Sequence, residues 1–175
     1  MNALYALVWI GALWKWGDWR NWRLYYPTLL FLLLGDFLYQ YLLVDHYPMW
    51  KYTPQGMDAE LGLTHTHIFL SIMLVKYPAT VMIYLSKFPK ERLIKQVLYI
   101  LFWIGIYSVN EFIDLKTNLM THEHGWSLGW SVLFNTVMFI VLKIHFHKPP
   151  AAWVISILFI LFLWNMFDVP GSVFR

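Results

Sequence analysis

Six long apolar stretches follow one another through this 175-residue chain, parted by polar connectors of which the longest runs from Asp45 to Thr66. They run from about Ala3 to Trp16, Leu24 to Val44, His67 to Leu85, Gln96 to Ile113, Trp126 to Leu142 and Ala151 to Phe167. None alternates apolar and polar residues as a barrel strand would, so each reads as a helix. Lipid offers no hydrogen-bond partner to the backbone, and a helix satisfies its own N–H and C=O groups there. The stretches approach the roughly 20 residues needed to cross the hydrocarbon core, the first being the shortest. Composition agrees: 59% of residues are hydrophobic and 13% charged, against about 25% charged in soluble domains. A soluble fold of this size leaves much of its surface exposed and could not hide so much apolar area. The expectation is an all-α membrane protein, one domain over residues 1–175 and a bundle of six transmembrane helices.

Charge gives the orientation. Lys15, Arg20 and Arg23 fall between the first two stretches, Lys87, Lys90, Arg92 and Lys95 between the third and fourth, and Lys143 and Lys148 between the fifth and sixth. The opposite side carries only Lys51, Lys116 and Arg175. Cytoplasmic loops are enriched in Lys and Arg, so both termini are expected outside. A rival arrangement has five spans and an interfacial N-terminal helix. Trp14, Trp16, Trp19 and Trp22 mark the inner boundary; Tyr47, Trp50, Tyr52, Trp126 and Trp130 mark the outer one, where amphipathic rings suit the headgroup level. No basic residue precedes the first stretch and Leu13-Trp14-Lys15-Trp16 is a poor cleavage site, so that stretch is expected to be retained. The net charge of +3 comes from residues set between apolar runs, a topology signal rather than a nucleic-acid patch. The absence of cysteine excludes disulfides and thiolate metal sites.

Ionisable groups inside a bilayer are costly and need a reason. Asp36 and Lys76 fall at similar depth on consecutive stretches, which suggests an ion pair that fixes helix register or, alternatively, a proton or ion relay. Ser127, Ser131 and Asn135 recur every four residues on one helix face, a spacing that usually marks helix–helix contact in lipid; Asn135 is deep enough to line a cavity. Asn110 and Glu111 sit inside the last turns of the fourth stretch, so Glu111 is expected to have a specific partner, with His65, His67 or His122 able to supply it.

The histidines cluster by side. His65, His67, His122 and His124 all fall at the expected outer face with Glu111 and Asp114. Imidazole and carboxylate are the ligands of a cysteine-free zinc site, so these four histidines are metal candidates. Glu111 is the candidate catalytic residue, either a further metal ligand or a base that would activate bound water. The spacing matches no metalloprotease signature, and haem at the outer boundary ranks below zinc. Solvated or structural histidines are the plainer reading.

Gly17-Asp18-Trp19-Arg20, Tyr25-Tyr26-Pro27-Thr28, Gly125-Trp126-Ser127-Leu128-Gly129-Trp130-Ser131 and the His145-to-Pro149 turn resemble a family of small tryptophan-rich multi-pass proteins from spore-forming Bacillota. The resemblance implies a bacterial cytoplasmic membrane and no particular activity. Three functions are compatible with these residues: binding or transport of a small ligand at an outward-facing His/acid site; an accessory subunit, packed against a membrane-protein partner or its own copies; and a metal-dependent membrane hydrolase acting on a lipid or envelope substrate. The first is favoured. Helix count and size are similar to those of the substrate-binding subunits of energy-coupling-factor importers, but Ala3, Ala6 and Ala12 do not give their Ala-x-x-x-Ala docking motif.

Overall fold

The computed structural model describes residues 2–174; Arg175, counted above on the outer side, lies outside them. Each apolar stretch forms a helix: α1 Asn2–Trp16, α2 Trp22–Leu42, α3 His65–Ser86, α4 Leu93–Lys116, α5 Leu128–His147 and α6 Pro149–Met166. The protein is all-helical apart from two three-residue strands. Four helices, α3 to α6, are long and apolar enough to cross a membrane. Helix α1 has 15 residues, about 22 Å at ~1.5 Å per residue. Helix α2 has 21, but Asp36, Gln40 and several tyrosines dilute its apolar run.

Helix α3 is the hub, packed against α1, α2 and α5. Ala79, Val81 and Tyr84 on it are wholly buried. At the other extreme, α6 contacts chiefly α5 and leaves Val154, Ile157, Leu158 and Leu161 open, as a lipid-facing helix should. Within α3 the turn Ile72–Lys76 is a π-helix. Pro78 follows it. A proline has no N–H to give and its ring crowds the carbonyl four residues back, here that of Leu74. The wider turn relieves that conflict and sets Lys76 at its end.

The basic connectors share one end of the bundle. The Asp18 carboxylate feels the charge of Lys87, and the Lys143 ammonium lies 4.3 Å from the centre of the Phe88 ring. At the opposite end two connectors meet as an antiparallel pair, β1 Trp50–Tyr52 and β2 Met120–His122, in the register Trp50↔His122, Lys51↔Thr121, Tyr52↔Met120. Helix α4 is stopped for this purpose by Asn118, whose φ of +55° suits its short polar side chain. The Leu119 N–H then closes back onto Asp114 O, as in a C-terminal cap, and the chain enters β2.

Candidate functional site

Beneath this strand pair lies a cavity of about 560 Å³, within the range that holds a drug-sized ligand. Trp50, Tyr52 and Met120 from the strands line it, with Trp126 and Phe134 from the α5 side and Phe31 and Leu142 toward the basic end. Into this largely apolar space project Asp36, Lys76, Tyr77, Glu111, Asp114, Ser131 and Asn135. A smaller cavity of about 100 Å³ adjoins it, sharing Tyr52, Ile72, Lys76 and Asp114 and reaching Asn110. The residues singled out from the sequence as a polar core, Asp36, Lys76, Asn110, Glu111 and Asn135, therefore all face one or other space.

Glu111 has the partners its depth demanded. Its Oε1 accepts from Ser131 Oγ in a very short hydrogen bond and lies 2.7 Å from His122 Nε2; both Glu111 and His122 side chains are 13% exposed. Ser131 in turn accepts the Trp126 indole N–H at 2.8 Å. Strand β2 puts His122 over the end of α4, and α5 presents Ser131 from the other side. The chain Trp126–Ser131–Glu111–His122 thus fastens the strand pair to two helices. It is not a nucleophile arrangement. Ser131 is 6% exposed, gives its proton to the carboxylate rather than to an imidazole, and has a lone pair engaged by Trp126. The Ser127-Ser131-Asn135 face, expected to mark helix contact, lines the cavity from Ser131 inward.

The expected Asp36–Lys76 ion pair is not formed. The Tyr77 hydroxyl donates to Asp36 Oδ2 at 2.7 Å. The Lys76 ammonium instead lies 4.1 Å from the centre of the Tyr107 ring, and Thr80 and Tyr107 hydroxyls are 2.7 Å apart. Successive residues on a helix point about 100° apart, and the π turn adds to the difference. Tyr77 is the side chain that meets α2 at the depth of Asp36, while Lys76 turns toward α4.

The four candidate metal histidines are not gathered. His65 Nε2 meets Gln40 Oε1 at 2.9 Å and its Nδ1 accepts the Tyr52 N–H. His67 caps its own helix through Thr64, Nδ1 to Oγ1 2.9 Å. His122 is held by Glu111. His124, at φ +51°, meets Pro48 O at 2.7 Å and stacks on Tyr47, ring centres 3.7 Å apart. Helix α3 starts at His65 itself, so His65 and His67 diverge, as residues two apart on a helix must. Among the described residues no three His, Asp or Glu side chains are placed to hold a metal ion.

Several lining groups carry no sequence signal as site residues. Tyr39 is the main one: its hydroxyl donates to Trp50 O at 2.9 Å and accepts the N–H groups of Met49 and Trp50, while its ring stacks on Trp50 at 4.0 Å. Tyr52, on β1, has its phenol pushed well above the ordinary value by burial and stays neutral. Compared with known protein families, with curated proteins and with solved structures, the chain matches none significantly.

Proposed function

We propose that this chain is a six-span protein of a bacterial cytoplasmic membrane, with both termini outside, and that its central cavity binds a small ligand and carries it across. The carrying observation is the cavity itself: an aromatic, mostly apolar space with charged and amide groups converging on it from α2, α3, α4 and α5. Buried ionisable groups at such depth are kept for a ligand or ion path more often than for packing. Six spans are supported by the basic connectors meeting at one end, and by α1 lying along α3 with Trp9 buried. A 15-residue span is accommodated by local thinning of the bilayer. The bacterial setting rests on the Trp-rich motifs of residues 17–28 and 125–131.

Gly35 supplies the test. It lines the cavity, and a Cβ there would meet nothing within 4 Å. Gly35→Phe is therefore expected to fill the cavity without unfolding the helix. A library of small amphiphilic molecules is screened by thermal shift, since a ligand of the folded state raises the melting temperature by mass action. Shifts in the wild type that vanish in Gly35→Phe support the reading; shifts that survive it place binding elsewhere. Topology is read in the same preparation. The chain has no cysteine, so single cysteines at Lys90 and Thr117 report side directly. An impermeant maleimide should label position 117 in intact cells and position 90 only after permeabilisation.

A further inference from the structure

Charge on the cavity wall bears on which ligand it takes. Three carboxylates line the space, Asp36, Glu111 and Asp114, against one ammonium, Lys76. Glu111 is shared with His122, and Asp114 and Lys76 lie between the two cavities, where each feels the other. Carboxyl groups therefore outnumber ammonium groups on the wall by three to one. Asp36 is the carboxylate that faces the space with only a neutral hydroxyl, that of Tyr77, bonded to it.

Asn135 is a second, independent pointer. It is 6% exposed and lines the cavity, adding an amide to its wall. A buried amide needs hydrogen-bond partners, and one that faces a cavity can take them from a ligand. The remaining wall is aromatic, including Trp50, Trp126 and Phe134. Ring faces attract cations and apolar groups together, and tolerate anions poorly.

We infer that the cavity selects an apolar organic cation, a ring- or alkyl-bearing amine or onium, with its charge toward Asp36 and its apolar body against the aromatic wall. This rests on the reading of the cavity as a ligand site. The apolar part would leave lipid or water for a wall of similar polarity, and the positive charge would meet the carboxylate in a low dielectric, where the attraction is strongest.

The test uses two size-matched ions, tetraphenylphosphonium and tetraphenylborate. Saturable binding of each to the full-length protein in detergent is measured by equilibrium dialysis, with empty micelles as the blank. The phosphonium should bind saturably at one site and the borate should not. Because this pair compares charge sign in the wild-type protein, the outcome does not depend on whether a variant folds. Asp36→Asn, checked for an unchanged melting temperature, should weaken phosphonium binding by about tenfold or more. Saturable borate binding of equal or greater strength overturns the inference and leaves the cavity reading intact, provided Gly35→Phe abolishes it. Phosphonium binding unaltered by a folded Asp36→Asn variant overturns it too, and so does saturable binding of neither ion. The cavity reading then stands or falls on the thermal-shift screen alone.

Discussion

The two ends of the bundle are built differently. At the strand end, helices and connectors are tied by polar bonds: Glu111 to His122 and Ser131, Tyr39 to Met49 and Trp50, Tyr47 OH to Phe167 O at 2.9 Å, and His124 to Pro48. At the basic end the connectors are short, and the interior is closed by packed rings and aliphatic groups. Tyr84, Phe139 and Leu142 there are 0–1% exposed, and the polar ties, Tyr84 OH to Phe139 O at 2.8 Å and Thr28 to His145 among them, are set within that packing. One end is a fastened lid above a cavity, the other a filled plug. In a carrier, the end that opens should be the one held by bonds that can exchange with water, since packed apolar surface has no such substitute.

The largest expected effect lies in the fastening at Glu111. Glu111→Ala leaves the Ser131 hydroxyl and His122 without their acceptor in a mostly buried place. That should destabilise the folded protein by about 2–3 kcal/mol, read as loss of helical signal in mixed-micelle unfolding. Glu111→Gln keeps an acceptor oxygen and should lose about 1 kcal/mol or less. Equal losses for the two would mean that the carboxylate is not the fastening element. Next comes Tyr39→Phe, which keeps the ring stack on Trp50 but deletes three hydrogen bonds. An expected loss of about 2 kcal/mol should be accompanied by faster hydrogen exchange at the Met49 and Trp50 amides and unchanged exchange at the basic end. Faster exchange at both ends would merge the two regions into one cooperative unit.

The contrast between the ends also separates what the sequence could reveal from what it could not. Apolar runs located the six long helices to within a few residues, the end of α5 least well, at Leu142 against His147, because hydropathy is a property of a window. Depth placed Glu111 and required a partner for it, with His122 one of three candidates beside His65 and His67; the structure selects His122. Contacts that depend on rotation about a helix axis were out of reach. Asp36 and Lys76 share a depth, yet Tyr77 rather than Lys76 meets α2, because successive helix residues point about 100° apart and the π turn before Pro78 adds to that angle. The strand pair was invisible, since three residues carry no alternation. With it went the reasons that His65, His122 and His124 each have a private partner instead of a common metal.

The plug can be tested where it does hold a polar pair. Thr28 is 1% exposed, and its hydroxyl lies 3.0 Å from His145 Nδ1; the imidazole also stacks on Phe31 with centres 4.3 Å apart. Thr28→Val keeps the shape and removes the bond, leaving one ring nitrogen without a partner. A loss of about 1 kcal/mol is expected, smaller than at Tyr39 because the ring stack and the packing around it remain. A loss as large as that of Glu111→Ala would show that the basic end is also held by its polar bonds.

The smallest effect should come from Asp18, at the rim of the plug. Its carboxylate accepts the Tyr25 hydroxyl at 2.8 Å and the Asn21 amide, and these bonds hold its pKa below the ordinary value. A depressed carboxyl pKa stabilises the folded state at any pH above the unfolded value of about 4, and that contribution fades as pH falls toward the folded value. Wild type should therefore melt slightly above Asp18→Asn at neutral pH, with the gap closing below about pH 4. The position is partly solvated, so salt should narrow the gap from the nearby Lys87 charge but not the part due to Tyr25. A gap that widens on acidification would mean that the protonated carboxyl is the form the fold prefers, and the Tyr25 bond would then run the other way.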